Sequence, residues 1–197
     1  MPRVAPLARE DLGEFEDFFS MIEQAMGFVP NSMLTLGRRP ELLRAFAGLS
    51  AQVLGGGSVP PDLKQLVAFV ASQSSGCRYC QAHTAHGAER RGVALEKIDA
   101  AFEFETSPLF SEAERAALRL ARDAALVPNE TREGHFVALR EHFSDEEIVD
   151  LVAVVSMFGW LNRWNDTMAT ELESGPLAFA GDHLAPRGWR AGDHAAD

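Results

Sequence analysis

The chain has 197 residues, about the length of one domain, and with 46% apolar and 24% charged residues it has the composition of a globular protein. Its formal net charge of −11 disfavours binding to nucleic acid and docking on anionic lipid. No apolar run approaches the ~20 residues that span a bilayer, and residues 1–11 lack the apolar core of a secretory signal. We therefore expect a cytoplasmic protein that binds neither nucleic acid nor membranes.

The N-terminal part, residues 1–57, contains apolar residues at helical spacing. One stripe runs from Leu12 to Met26 and stops near Gly27, and a second runs from Leu42 to Val53 and stops at the glycine run 55–57. These patterns predict two helices before the central part of the chain.

The central part, about residues 60–130, begins with the pair Pro60-Pro61, which is typical of a first helical turn. We expect a helix from there to about residue 74, a second over 77–91 and a short one over 95–104. Ser111 and Glu114 then have the spacing of a capping box, which predicts another helix start.

The C-terminal part is also predicted to be helical, over residues 131–185. A helix near 131–141 precedes a second capping box at Ser144 and Glu147, and a long helix should follow over about 145–173. The tail 186–197 is polar, and we expect it to be loosely held. The whole reads as one all-α domain, residues 1–197, with about eight or nine helices.

Cys77 and Cys80, the two cysteines of the chain, lie at the start of the predicted helix 77–91. Residues three apart on a helix are neighbours at a separation that a disulfide can span. The positive end of the helix also favours a thiolate. The pair therefore has the spacing of a redox-active dithiol rather than the cysteine framework of a secreted protein.

His83 lies one helical step beyond Cys80, about 60° away around the helix axis. A neutral imidazole at that place could accept the thiol proton and return it to a leaving oxygen. Gly87 lies almost directly along the helix from Cys80, so it leaves room either for a substrate or for close packing of another helix.

Two other interpretations of this cluster stay open. The cysteines could be inert core residues. The steps of three that join Cys77, Cys80, His83 and His86 also suggest zinc, but on one helix these residues spread over half of the circumference and do not converge on one ion. We expect no metal and no cofactor.

This stretch resembles the AhpD-like branch of the carboxymuconolactone decarboxylase superfamily. The matching features are Cys-X-Tyr-Cys followed by Ala-His, then Gly92-Val93, the helix start at 96–98 and the earlier Pro-Pro-Asp-Leu-Lys segment, so the match covers about residues 60–130. The length and the flanking helices are similar to those of a group of uncharacterised peroxidase-related proteins, as is the segment 160–168. The resemblance implies an all-helical fold, an AhpD-like bundle, with a redox-active CxxC pair.

The resemblance also implies catalytic roles. In family members that act as peroxidases, the second cysteine attacks the peroxide, the first then forms a disulfide with it, and a glutamate and a histidine relay protons. Carried over, Cys80 is the attacking thiol, Cys77 the resolving thiol and His83 the relay histidine.

Two positions depart from the family pattern. The family glutamate position holds Gln65 here, which can hold a water but cannot take a proton. Some relatives place the histidine four residues after the second cysteine, where this chain has Thr84. Gln65, Thr84 and His86 are thus candidate relay or supporting residues, and the change Gln65→Glu is expected to restore the relay.

We expect an enzyme: a thiol-dependent peroxidase that reduces hydroperoxides and is reset by an external thiol or dithiol reductant protein. The alternatives are a thiol–disulfide oxidoreductase without peroxidase activity and a non-catalytic helical oligomer with a vestigial site. Lactone decarboxylation is disfavoured, because the decarboxylase branch of the family lacks the cysteine pair.

A homo-oligomer is also expected. The aromatic cluster Phe158, Trp160, Leu161 and Trp164 is of the kind enriched in interface cores, although a central helix buried on all sides would look the same. The resemblance implies a dimer, trimer or hexamer.

Overall fold

A computed structural model describes residues 1–195, and this part of the chain contains ten α-helices and four short 3-10 segments but no strand. Eight of these α-helices have eight or more residues, so the prediction of an all-α protein of eight or nine helices is confirmed. The α-helices are Glu16–Met26 (α1), Asn31–Leu36 (α2), Pro40–Gly55 (α3), Pro61–Ser75 (α4), Arg78–Arg90 (α5), Leu95–Asp99 (α6), Glu112–Ala124 (α7), Glu133–Arg140 (α8), Asp145–Met168 (α9) and Ser174–His183 (α10). The 3-10 segments are Arg9–Phe15, Ala100–Glu103, Ala185–Arg187 and Gly192–His194.

Helix α4 is the centre of the fold. Every residue from Leu63 to Ser72 is buried, because α5, α7 and α9 all pack against it. A helix covered on all sides needs no polar face, which explains the long apolar run in its sequence. The site described below lies where α4, α5 and α9 meet.

Lys64 is a fully buried charged residue within α4. Its Nζ donates hydrogen bonds to the carbonyl oxygens of Val53, at 2.8 Å, and Gly56, at 2.5 Å. The last carbonyls of a helix have no partner inside the helix. Lys64 therefore caps the C-terminal end of α3 and joins it to α4.

The predicted helix starts are confirmed by their capping groups. Ser111 and Glu114 form a capping box at the start of α7, and Ser144 and Glu147 form one at the start of α9. Helix α5 begins at Arg78 with Cys77 as its N-cap, whose sulfur accepts a hydrogen bond from the backbone N–H of Cys80 at 3.4 Å. The first cysteine is thus held at the N-terminal end of the helix.

The predicted helix 145–173 is five residues too long. Helix α9 ends at Met168, because Ala169 adopts a left-handed conformation and the N–H of Thr170 donates to the carbonyl of Asn165. This is the hydrogen-bond pattern of a helix C-cap that usually contains glycine. The chain reverses here, and residues 170–173 return along α5 before α10 begins.

The expectation of a loosely held tail from residue 186 does not hold for the described residues. Trp189 and His194 are 5% and 4% exposed. The indole Nε1 of Trp189 donates to the carbonyl of Arg78, and the carbonyl of His194 accepts from the N–H of Leu172. The indole of Trp189 thus ties the tail to α5, and the backbone of His194 ties it to the segment before α10, while residues 196 and 197 of the predicted tail lie outside the described part.

No helix in residues 1–195 combines the length and the apolarity needed to cross a membrane. Of the aromatic residues that suggested an interface, Phe158 is buried, whereas Trp160 is 36% exposed. The Trp160 ring stacks between those of Phe46 and Trp164, at 5.2 Å from each. The homo-oligomer remains a prediction.

Candidate functional site

The two thiols lie together in the first turn of α5, buried against α9. Both are free, and they are 0% (Cys77) and 2% (Cys80) exposed. The side-chain amide Nδ2 of Asn165, in α9, donates a hydrogen bond to Sγ of Cys80 at 3.3 Å. A donor on the sulfur favours the thiolate, which is the nucleophilic form. Asn165 lies in the segment 160–168, to which the sequence alone assigned no role.

Cys77 differs from Cys80 in its surroundings. The pKa of the Cys77 thiol lies well above its usual range, because its hydrogen bond with the Cys80 side chain, its burial and the negative charges of Cys80 and Asp166 all favour the protonated form. Each sulfur accepts one hydrogen bond, Cys80 from the Asn165 amide and Cys77 from the Cys80 backbone, but the pair is asymmetric because burial and its neighbours hold Cys77 as a thiol. This agrees with the division into an attacking Cys80 and a resolving Cys77.

His83 has a carboxylate partner that the sequence did not reveal. Its Nε2 lies 2.5 Å from Oε2 of Glu173, and both side chains are about nine-tenths buried. The His83 ring also stacks on Tyr79, with ring centroids 4.1 Å apart, and meets the edge of Phe28. Such a carboxylate orients an imidazole and stabilises the imidazolium that forms when it takes up a proton.

Glu173 is held in its charged form by several donors. Burial alone would raise the pKa of the carboxyl, but the charge of His83 and hydrogen bonds from His83 and the Asn31 backbone outweigh burial, so the pKa lies below its usual range. The Tyr79 hydroxyl donates to Oε1 of Glu173 at 2.9 Å. Burial and the Glu173 charge raise the pKa of Tyr79, so the phenol keeps its proton.

No local pattern in the sequence indicates this pair, since Glu173 is 90 positions from His83. The sequence predicts a helix through residue 173, and in such a helix Glu173 would lie farther along the axis of α9, away from His83. The reversal at Ala169 instead returns the chain to α5. Only the unusual non-glycine C-cap decides where this carboxylate lies.

A small cavity of about 130 Å³ lies in front of Cys80. Its walls are mostly aromatic and aliphatic side chains from α1, α2, α3 and α9, while Cys80, His83 and Arg91 contribute polar atoms. The apolar lining includes Phe18, Ile22, Met26, Met33, Phe46, Leu54, Met157, Phe158 and Leu161. The cavity therefore suits a compact apolar molecule that presents one reactive atom to the sulfur.

The other candidate residues differ in their positions relative to the cavity. Gln65 lines the cavity, and its Oε1 would lie 3.0 Å from a Cβ at Gly87, so the glycine serves close packing of α4 on α5. The Thr84 hydroxyl donates to the carbonyl of Cys80 at 2.6 Å, which commits its proton to the helix. His86 lies outside the cavity lining and stacks on Phe28; burial and then Arg90 lower its pKa.

A second, larger pocket of about 710 Å³ lies on the other side of α9. Phe158, Leu161 and Asn165 face the small cavity, whereas Asn162 and Asp166 line the large pocket. At about 100° per residue, the α9 residues that line the large pocket, which also include Val152, Ser156, Gly159 and Arg163, centre on the side of the helix away from those that line the small cavity. Helix α9 is therefore a wall between the two spaces, and the cysteine pair lies against it.

Cys77, Asp166 and His194 form a group whose ligand atoms lie within 4.8 Å of one another, the kind of set that could hold a metal ion. Here Nε2 of His194 lies 3.2 Å from Oδ1 of Asp166, and Nδ1 lies 2.8 Å from the carbonyl of Thr170. Cys77 already contacts Cys80. These mutual partners account for the group, and we assign it no metal.

Comparison with known proteins places this architecture in a family. The model of the carboxymuconolactone decarboxylase family matches residues 40–123. Two uncharacterised relatives are similar: YdfG of Bacillus subtilis, 27% identical over 109 residues, and YnjA of Escherichia coli, 28% identical over 108 residues. Each match covers 55% of this chain. The match spans 72% of the length of YdfG but only 59%, less than two thirds, of the length of YnjA.

Solved structures match over almost the whole chain. The debrominase Bmp8 aligns with a TM-score of 0.86 and 38% identity over 91% of this chain and 96% of Bmp8; one of its structures is a cysteine-to-alanine variant in complex with 2,3,4-tribromopyrrole. An AhpD-core, peroxidase-related protein from Ralstonia eutropha has the same fold, with a TM-score of 0.79 and 24% identity. The alignment covers 91% of this chain and 95% of the Ralstonia protein. Residues 40–123 thus belong to the carboxymuconolactone decarboxylase family, and the chain has the fold of an AhpD-core protein.

Proposed function

We propose that this protein is a thiol-dependent oxidoreductase that reduces a compact apolar substrate, and that organic hydroperoxides are the substrate class. The observation that carries the proposal is the position of Cys80, which faces an apolar cavity with Cys77 directly behind it in the same helical turn. A nucleophilic sulfur in front and a protonated thiol behind are the two parts that a dithiol cycle needs.

The proposed reaction begins with attack of the Cys80 thiolate on the terminal oxygen of the hydroperoxide. The O–O bond breaks, Cys80 becomes a sulfenic acid, and the alkoxide takes a proton from His83. Glu173 stabilises the charged imidazole before this transfer, and Asn165 holds the thiolate.

Cys77 then attacks the Cys80 sulfur, water leaves, and a disulfide joins the two residues. An external thiol donor supplies two electrons and two protons to restore the dithiol. The sum is one hydroperoxide and two donor thiols converted to an alcohol, water and a disulfide.

The test measures consumption of cumene hydroperoxide with dithiothreitol as donor. We expect turnover in the native protein, none in Cys80→Ser, and in Cys77→Ser a sulfenic acid that dimedone traps. A matched control is His135→Ala, since His135 forms a similar pair with Asp123 at 2.8 Å, far from the cysteines in sequence. Equal turnover in Cys80→Ser and native protein would rule the proposal out.

A second candidate function is reductive debromination of a small aromatic ring. The similarity to Bmp8, at 38% identity across nearly the whole chain, favours it. The balance is an aryl bromide and two thiols converted to the arene, hydrogen bromide and a disulfide. Incubating the reduced protein with brominated pyrroles and measuring bromide release separates this candidate from peroxide reduction.

Two further arms complete the experiment. Turnover of a model disulfide, with neither peroxide reduction nor bromide release, would identify a thiol–disulfide oxidoreductase.

Light scattering tests the proposed homo-oligomer, because a mass near 21.5 kDa means a monomer. Cytoplasmic location likewise stays a prediction.

A further inference from the structure

The 710 Å³ pocket on the far face of α9 differs from the substrate cavity in its chemistry. Its volume lies within the usual range for small-molecule sites. Hydroxyl, amide and charged side chains line it together with apolar ones, whereas the lining of the substrate cavity is mostly aromatic and aliphatic. Its polar lining includes Ser74, Ser75, Asn129, Thr131, Asn162 and Arg163.

Asn162 indicates what this pocket would bind. The residue is 2% exposed, and neither its Nδ2 nor its Oδ1 has a hydrogen-bond partner within the described residues. An unpaired buried amide is costly, and native proteins rarely leave one without a partner. A ligand that carries its own amide group would satisfy both atoms.

Arg163 adds a second requirement. Its side chain lines the pocket, and within residues 1–195 its guanidinium pairs with the carbonyl of Gly159, at 3.3 Å, rather than with a carboxylate. Arginine recognises carboxylates with paired N–H donors. The pocket thus offers an amide and a cation to one molecule.

The pocket also approaches the cysteine pair, on the side of Cys77. The carboxylate of Asp166 lines it and lies within 4.8 Å of Sγ of Cys77. Asp166 is exposed, and its carboxylate, which also contacts His194, connects the pocket lining with the resolving sulfur. Cys80, by contrast, faces the substrate cavity.

The order of bond breaking agrees with this approach. In a Cys77–Cys80 disulfide, attack on Cys77 releases Cys80, whose sulfur accepts a hydrogen bond from Asn165. Attack on Cys80 would instead release Cys77, whose thiolate is disfavoured by burial and by the charge of Asp166. The better stabilised thiolate is the better leaving group.

We propose that this pocket binds the reductant, a low-molecular-weight thiol that carries amide and carboxylate groups, and that this thiol attacks Cys77. The inference rests on the proposed dithiol cycle and names its second substrate. The oxidising substrate and the reductant then approach the cysteine pair from opposite faces of α9.

The exchange balances with two donor thiols. The first donor, as a thiolate, bonds to Sγ of Cys77 while the Cys77–Cys80 bond breaks and Cys80 leaves as a thiolate. A second donor thiolate attacks the donor sulfur of the mixed disulfide, and Cys77 leaves and takes a proton. One protein disulfide and two donor thiols become a protein dithiol and one donor disulfide.

The first test compares two reductants of the fully oxidised protein. Glutathione carries amides and carboxylates, whereas dithiothreitol carries neither. We expect Arg163→Gln to slow disulfide reduction by glutathione about tenfold, since it removes a charge-assisted hydrogen bond. Its rate with dithiothreitol should stay within about twofold of the native rate, because dithiothreitol lacks the carboxylate that Arg163 would hold.

Two further variants sharpen the comparison. Asn162→Ala should behave as Arg163→Gln does, but Asn162 is buried, so the exposed Arg163 keeps the test valid if the alanine variant fails to fold. Arg140→Gln is the matched control, because Arg140 is exposed on α8 and lies outside both cavities. It should leave both rates unchanged.

The second test locates the mixed disulfide. The oxidised protein is treated with less than one equivalent of glutathione, quenched with acid and N-ethylmaleimide, and digested with trypsin. Cleavage after Arg78 separates the two cysteines, which fall in peptides 65–78 and 79–90. We expect glutathione on Cys77; glutathione on Cys80 would overturn the proposed direction of attack.

The outcomes separate this inference from the proposed function. If oxidation never joins Cys77 to Cys80, the dithiol cycle itself is refuted. If the disulfide forms but Arg163→Gln changes neither the rate with glutathione nor the rate with dithiothreitol, the cycle stands and the pocket is not the reductant site. A change of molecular mass in that variant, with both rates unaltered, would mean that a second copy of the chain covers the pocket.

Discussion

The carboxylate of Glu173 lies 2.5 Å from Nε2 of His83, so the histidine one helical turn from Cys80 is half of a buried imidazole–carboxylate pair. Because the pKa of Glu173 is held low, mainly by the charge of His83 against the opposing effect of burial, the carboxylate is charged at neutral pH. Under the proposed mechanism, this carboxylate from the turn before α10 takes the place of the glutamate that the family resemblance leads one to expect at position 65.

Replacing Glu173 with glutamine should reduce activity without removing the cysteine chemistry. Glutamine keeps the shape but cannot stabilise the imidazolium of His83, so we expect kcat/KM to fall about 10- to 100-fold, the range of a weakened proton transfer. Glu171→Gln is the matched control, since only its backbone carbonyl is used, by Asn31. Equal losses in both variants would indicate a general effect on folding.

The change Gln65→Glu now has a different expected result from the one that the family pattern suggests. His83 already has its carboxylate, and Gln65 lies in the apolar cavity that Cys80 faces. A second negative charge there disfavours the Cys80 thiolate, so activity should fall several-fold rather than rise. The measurement compares the steady-state peroxidase rates of Gln65→Glu and Gln65→Ala with that of the native protein. A higher rate in the glutamate variant alone would show that protons pass through position 65.

Asn165 should control the reactivity of Cys80. Removing its amide in Asn165→Ala deletes the donor on the sulfur, and we expect alkylation of Cys80 by iodoacetamide at pH 7 to slow about tenfold, as for loss of one hydrogen bond to a charged group. The measurement uses a Cys77→Ser background so that one thiol reacts. Asn129→Ala, a change at an exposed amide, provides the control, and an unchanged alkylation rate in Asn165→Ala would contradict the assignment.

The stability of the reduced protein should fall at alkaline pH because of Cys77. Its pKa is raised on folding, so its contribution is complete below the unfolded pKa of about 8.5 and is lost as the pH rises above that value. Between pH 8.5 and 10 the free energy of unfolding should fall by about 1.4 kcal/mol per pH unit more than in Cys77→Ser. Urea denaturation with a reductant present gives both curves, and parallel curves would show that Cys77 titrates normally.

Lys64 should be essential to the junction of α3 and α4. Lys64→Met keeps the aliphatic stem but leaves the carbonyls of Val53 and Gly56 without their donor. We expect a loss of about 2–4 kcal/mol in the free energy of unfolding, as for two buried acceptors left unpaired. Arg140→Met, at an exposed position, should cost less than about 0.5 kcal/mol, and a similarly small cost at Lys64 would refute the capping role.

Much of the helical framework could be predicted because local signals specify it. The serine and glutamate pairs at the starts of α7 and α9 form their caps from four consecutive residues, and Cys77, Cys80 and His83 are fixed by the period of one helix. Glu173 and Asn165 could not be predicted, since their contacts with α5 depend on how distant helices pack. The buried Trp189 and His194 were missed for the same reason, because a polar and glycine-rich segment gives little sign of the two rings that anchor it.

The wall formed by α9 has a consequence for how such proteins can diversify. Side chains such as Phe158 and Leu161 shape one compartment, and Asn162 and Arg163 shape the other, although all four belong to a single pair of helical turns. Mutations on one face can retune the choice of oxidant while the opposite face is preserved. Descendants of one ancestor could therefore acquire new electron acceptors without changing their electron donor.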